Sequence, residues 1–261
     1  MVSYKVGRRE IHVLAQWIDY ALGTRQNMRM ERCAAESEYF AGLRSNPYGV
    51  IRRGGGNMQQ KIRHKIICIT NRRLVQGDFL ERIEQIAALD WADAVILREK
   101  DLTEEEYKEL ARKVSSICSQ YEKTCILHTF ADAAMELGYR KIHLPYSAFL
   151  RLDNKQRQFF QIIGVSTHTP EEAREAERQG ASYVTASHIF PTACKEGLAP
   201  RGLSYLRETV RGVSIPVYAL GGIHPENAAS CLEAGAAGVC MMSEFMNGDL
   251  NRGCMDFSGC V

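Results

Sequence analysis

The sequence contains no run of about 18 apolar residues, so no helix able to span a membrane is expected. Its first residues carry no apolar stretch of the kind that marks a secretory leader. There is no Cys-x-x-Cys pair, and nine cysteines, an odd number scattered along the chain, do not form the disulfide framework of a small secreted domain. Cys254 and Cys260 lack the further ligands of a zinc site. Cys68, Cys125 and Cys240 sit inside apolar runs and read as small core residues of a reduced, cytoplasmic protein. An excess of charge is also missing: 33 basic residues against 31 acidic ones leave a net charge of +2. That balance supplies no general pull toward nucleic acid, and a small ligand is the expected partner.

What the chain does have is length and rhythm. Its 261 residues, 45% hydrophobic and 25% charged, suit one large globular domain. From Lys65 onward, eight short runs rich in β-branched and aliphatic residues alternate with helical patterns. They are Ile66–Thr70, Ala94–Arg98, Cys125–His128, Lys141–Leu144, Gln161–Ser166, Tyr183–Ser187, Pro216–Leu220 and Gly238–Met242. Eight βα units predict an α/β fold, a closed (β/α)₈ TIM barrel, with an open doubly wound sheet as the structural rival. Asp78 with Glu81, Thr103 with Glu106 and Thr169 with Glu172 have capping-box spacing, and Pro170 and Pro225 fall where a first-turn proline is tolerated.

Residues 1–57 stand outside this rhythm and read as an N-terminal extension to a barrel domain of residues 58–261. The extension holds one weak amphipathic stretch around Val13 to Leu22 and ends in Gly54, Gly55 and Gly56. Arg52, Arg53 and those glycines can all be written with purine-only codons, like a ribosome-binding site read in frame. That pattern gives the expectation that Met58 is the natural start. The alternative is a genuine helix joined by a glycine linker.

In such barrels the reactive groups come from the C-terminal ends of the strands and the loops that follow. The clearest candidate is a phosphate seat: Gly221 and Gly222 run off the seventh strand just before Pro225, and Met242 and Ser243 end the eighth. Two glycines can equally serve only a tight turn. Arg98, Lys100 and Lys195 would add positive charge suited to a carboxylate or phosphate, although loop cations are usually just solvated. Thr192 lies on the same loop as Lys195, and His128 and Tyr146 follow the third and fourth strands. His168 is the leading proton carrier, because an imidazole both accepts and donates near neutral pH. A lone histidine beside a helix start is more often a surface residue. His188 and His224 rank lower, and His128 with His143 shows no metal-pair spacing.

With these residues in view, the chain resembles the thiamine phosphate synthase and TenI superfamily from Ile66 to Met246. The motifs that carry the resemblance are Ile69-Thr70-Asn71, Ile96-Leu97-Arg98-Glu99-Lys100-Asp101, the run Ile163 to Ala173, Ile189 to Lys195 with Gly197 to Gly202, and the Gly221-Gly222 turn. Synthases of this superfamily carry an Asn-Asp pair after the third strand and an Asp after the fourth, acids that hold the magnesium of a pyrimidine diphosphate. Here the first place reads His128-Thr129, and the second reads His143-Leu144-Pro145-Tyr146-Ser147, with no acid after it until Asp153. Magnesium wants oxygen ligands, carboxylates above all. The resemblance therefore points to the TenI-like thiazole tautomerase branch.

That branch implies an isomerase acting on a small phosphorylated thiazole without cofactor or metal, with His168 as its acid/base; from their charge alone, Arg98 or Lys195 is expected to steady the substrate carboxylate. Two alternatives stand beside it. One is a thiamine phosphate synthase, a transferase joining pyrimidine diphosphate to thiazole phosphate with Mg²⁺. The other is a non-catalytic, phosphate-binding regulatory barrel. A homo-oligomer is compatible with either.

Overall fold

The computed structural model describes residues 4–6, 9–11 and 65–250, except Glu196. The chain divides into two compact units, residues 1–50 and 51–261. In the first, strands β1 (Tyr4–Val6) and β2 (Arg9–Ile11) pair antiparallel, with Tyr4 opposite Ile11. The amphipathic stretch from Val13 to Leu22, the junction at Met58, and Cys254 and Cys260 lie outside the described residues.

The second unit is a closed barrel of eight parallel strands: β3 (Lys65–Ile69), β4 (Ala94–Leu97), β5 (Thr124–His128), β6 (Lys141–Pro145), β7 (Ile162–Thr167), β8 (Tyr183–Ser187), β9 (Val217–Leu220) and β10 (Gly238–Met241). β10 closes the ring onto β3, with Val239 beside Ile66, so the doubly wound alternative does not apply. Each strand begins and ends within one residue of its sequence-predicted bounds.

Alternation along these strands explains the closure. Ile67, Ile69, Ala94, Ile96, Ile126, Tyr183 and Cys240 form one buried cluster that fills the barrel. Their neighbours Ile66, Cys68, Val95, Leu97, Leu127, Val184 and Val239 join a second cluster with residues of the surrounding helices. Both faces of every strand are covered, which is why the runs are nearly all apolar. Cys68 and Cys240 are buried free thiols, as expected, while Cys125 is half-buried.

The surrounding helices include α1 (Phe79–Ala87), α2 (Glu104–Gln120), α3 (Ala131–Glu136), α4 (Tyr146–Leu150), α5 (Asn154–Phe159), α6 (Pro170–Arg178), α7 (Gly202–Gly212), α8 (Pro225–Glu233) and α9 (Ser243–Met246). Helix α1 is held by Ile83 and Ile86, both fully buried, each worth about 1.5–3 kcal/mol in transfer from water. Asp78 caps it through Leu80 and Glu81. Thr103 and Glu106 make the complete reciprocal box at the start of α2. At α6 Thr169 accepts from the Glu172 N–H, but the Glu172 carboxylate reaches one residue further back and accepts from the His168 N–H at 2.6 Å. A further box, Asp153 with Gln156, starts α5, while at α8 the Asn227 side chain accepts from the His224 N–H. Among the described residues no helix is long and apolar enough to cross a membrane.

Candidate functional site

A cavity of about 430 Å³ opens at the C-terminal ends of the strands. It gathers Arg98, Lys100, His128, His168, Thr192, Lys195, Gly221, Gly222, Met242 and Ser243, which sequence reasoning had spread over six loops. Tyr146 is not among its lining residues; it opens helix α4. Polar residues that sequence reasoning did not favour also line it: His143, Ser166, Ser187, His188 and His224.

The β3 and β4 ends are fixed by a buried acid. Glu99 accepts from the Thr70 hydroxyl at 2.6 Å and from the Arg72 N–H and guanidinium. The same threonine oxygen accepts the Arg98 N–H at 2.9 Å. Arg72 then makes a bidentate pair with Asp101, both bonds 2.7 Å, and holds that carboxyl down at about 2. The acids of this rim are thus consumed by Arg72 and Arg73, while Arg98 and Lys100 line the cavity.

Burial lowers the pKa of Lys100, and the neighbouring Arg98 lowers it further. Burial and then Arg201 do the same to Lys195. Among the described residues no carboxylate lines the cavity. Cations held together without a counter-charge form a site for an anion, since a bound anion relieves their mutual repulsion. Asp153, the first acid after β6, is occupied as the cap of α5. Among the described residues no group of three His, Cys, Asp or Glu side chains is arranged to hold a metal ion.

The imidazoles occupy different settings. His128 is buried, its position set by Tyr107, whose hydroxyl donates to the Leu97 carbonyl and accepts the His128 N–H, each at 2.8 Å. Burial pushes the His128 pKa well down, with His143, Lys100 and Arg98 adding to the effect. His168 is 40% exposed; its Nδ1 lies 3.5 Å from Glu172, and burial and Lys195 lower its pKa against the pull of that acid.

His188 is only 4% exposed. Its Nε2 lies 3.4 Å from the Leu198 carbonyl oxygen, which can only accept, so in the neutral ring Nε2 carries the hydrogen and Nδ1 a lone pair. That Nδ1 is buried with no hydrogen-bond partner among the described residues. A buried polar atom without a partner costs about 1–3 kcal/mol, which a ligand's donor can recover. The sequence signal for His188 was its place directly after the sixth barrel strand, a signal that several other loop residues shared.

The glycine turn is shaped around this histidine. Gly221 has φ +99°, and a Cβ there would lie 2.4 Å from the His188 Cβ. Gly222 has φ +65°, and its Cβ would meet the Pro191 carbonyl oxygen at 2.3 Å. Both positions require glycine for backbone conformation and for close approach of the β8 loop. The loop is sewn on by Ile189 N–H to Leu220 O and Phe190 N–H to Gly221 O, both 3.0 Å. The same turn leads into α8, whose positive end lies beside the Met242–Ser243 turn through pairing of His224 with Glu244.

A family model described as thiamine monophosphate synthase matches residues 66–245. Among curated proteins, the chain is 32% identical over 201 residues to the thiamine-phosphate synthase of Halalkalibacterium halodurans, covering 74% of this chain and 93% of that one. It is 31% identical over 190 residues to the thiamine-phosphate synthase of Clostridium novyi, covering 72% and 93%. Among solved structures, the thiamine phosphate pyrophosphorylase of Pyrococcus furiosus superposes with a TM-score of 0.60 at 29% identity, covering 73% of this chain and 90% of that one.

Proposed function

Because the chain belongs to the thiamine monophosphate synthase family, we propose that it takes a phosphorylated thiazole and that its own step is a proton transfer, the aromatising tautomerisation of a thiazole carboxylate phosphate. The observation that carries this reading is the make-up of the cavity, where imidazoles stand among unpaired cations with no lining carboxylate among the described residues. Such a donor set suits an anionic substrate and does not suit Mg²⁺, which needs oxygen ligands and usually carboxylates.

On this reading the phosphate sits between the Gly221–Gly222 and Met242–Ser243 turns, where barrels commonly seat it. The substrate carboxylate faces Arg98, Lys100 or Lys195, which also stabilise negative charge as it develops. A base removes the proton from the carboxylate-bearing ring carbon, the electron pair delocalises through the ring, and a proton returned to the exocyclic carbon leaves an aromatic product. No atoms are gained or lost.

Two imidazoles can move that proton. His188 has the stronger claim, since its Nδ1 lone pair is buried, unpartnered among the described residues, and held by a residue of the cavity wall. His168, favoured by the sequence, is the second; its exposure and its Glu172 neighbour suit a residue that exchanges protons with solvent. Positioned acid/base catalysis contributes roughly two to four orders of magnitude in rate.

A second reading, coupling of a pyrimidine diphosphate to thiazole phosphate, is favoured by the names of the relatives. One experiment separates the two. Isomerisation of the thiazole carboxylate phosphate is followed by absorbance in the wild type, His188→Gln and His168→Gln, beside a coupling assay containing pyrimidine diphosphate, thiazole phosphate and Mg²⁺. Turnover in the first assay, lost in His188→Gln, supports tautomerisation. Coupling without isomerisation overturns it.

A further inference from the structure

From the cavity lining into the barrel interior, three side chains form a chain of hydrogen bonds that the proton transfer does not use. Ser166 lines the cavity, and its hydroxyl lies 2.8 Å from Nε2 of His143. The other ring nitrogen of His143, Nδ1, lies 3.0 Å from the hydroxyl of Tyr183. Tyr183 belongs to the apolar cluster that fills the barrel and packs edge-on against Tyr218. Room for this contact depends on Gly164: a Cβ there would stand 2.1 Å from the Tyr183 ring and 2.5 Å from the His143 Nδ1. The missing side chain and the two hydrogen bonds are independent signs that the relay is built into the barrel.

The relay has a direction. A neutral imidazole carries one N–H and one lone pair, and which nitrogen carries which is set by the partners. His143 is neutral throughout the working range, because burial and then Lys100 push its pKa down to about 3. Burial raises the Tyr183 phenol well above its ordinary value, so it keeps its hydrogen. A phenol O–H is a better donor than an imidazole N–H, and an imidazole lone pair is a better acceptor than a phenol oxygen. Tyr183 therefore donates to Nδ1, Nε2 carries the hydrogen and donates to the Ser166 oxygen, and the Ser166 hydrogen is left to point at an acceptor.

We infer that Tyr183 is a positioning residue which, through the tautomer of His143, fixes Ser166 as a hydrogen-bond donor to the bound ligand, selecting an acceptor such as a ring nitrogen or carboxylate oxygen at that point of the substrate. The ligand half of this inference rests on the thiazole reading; the tautomer half does not.

The test has two arms. In ¹⁵N-histidine-labelled protein, the His143 signals are assigned by comparison with His143→Gln. The wild type should show Nε2 protonated and Nδ1 bare, and Tyr183→Phe, which keeps the ring, should lose that single tautomer. A wild-type His143 protonated on Nδ1 overturns the inference whatever the ligand is. In the second arm, affinity for the thiazole carboxylate phosphate is measured in Tyr183→Phe, Ser166→Ala and the double variant. Loss of one hydrogen bond should weaken binding roughly tenfold in each single variant. The double variant should be no weaker than Ser166→Ala, since the two act as one unit. Full additivity overturns the relay. Absence of any wild-type binding refutes the thiazole reading and leaves the tautomer result to decide the rest.

Discussion

The outer helices and the cavity mouth use charge in opposite ways. On the helices, acids and bases pair locally: Arg112 with Glu109, Arg174 with Glu171, Arg178 with Glu175, and Lys108 with both Glu105 and Glu136. Most of these pairs span three residues on one exposed face and contribute little, because water screens them. At the mouth, Lys100 and Lys195 feel mainly burial and another cation. The arrangement costs the folded protein free energy and lowers it only when an anion arrives. That uncompensated charge is why the proposed substrate, an anion, is placed at the mouth and not on the helices.

The sharpest way to break this comparison is to remove the proposed base from the mouth. His188→Gln keeps the polarity and most of the volume of the side chain, yet cannot take up a proton. Turnover should fall by roughly two to four orders of magnitude while KM changes little. An equal loss in His168→Gln, with His188→Gln active, would move the base to the β7 end. The next effect is electrostatic. Lys195→Glu replaces a mouth cation with an acid, and KM for the thiazole carboxylate phosphate should rise roughly ten- to a hundredfold with kcat less affected. The loss should shrink as salt is added, which a purely steric effect would not do.

The eight strands were legible in the sequence because each is buried on both faces, so its composition does not depend on detail elsewhere. Nearly all the mouth residues were legible for a related reason: the barrel brings strand ends together whatever the loops do. Tyr146 is not among the lining residues: Pro145 ends β6 and the chain turns directly into α4. Nothing local distinguishes His188. What sets it apart in the structure is an Nδ1 without a hydrogen-bond partner among the described residues and Gly221 making way for its Cβ, features that arise only where different strand ends meet. The Glu172 carboxylate showed a similar limit: spacing gave the helix start, but only the structure showed it accepting from His168.

The barrel interior gives a third test, in acid. His128 and His143 are kept neutral by burial, His143 down to about 3, against an ordinary value of 6.5. The unfolded chain protonates both rings below about 6.5, so between 6.5 and about 3 it binds more protons than the folded state. Stability is therefore complete above about 6.5 and falls as the solution is acidified. The His143 ring steepens the decline by about 1.4 kcal/mol per pH unit once well inside that window, and the lowered His128 acts in the same direction. Denaturant midpoints measured from neutral pH to about 5 should fall. A flat profile would mean that the rings are reached by water and sit outside the low-dielectric interior.

The smallest effect belongs to the helices and completes the contrast. Glu109 and Arg112 are both more than half exposed, with side-chain exposures of 69% and 54%. Replacing both with alanine removes one solvated pair and adds two good helix formers, so stability should change by less than about 0.5 kcal/mol. Tm and KM should stay at wild-type values, and added salt should not separate variant from wild type. A change in KM comparable to that of Lys195→Glu would show that the helical charges act on the ligand through the field of the whole barrel, and the division between paired helix and unpaired mouth would then fail.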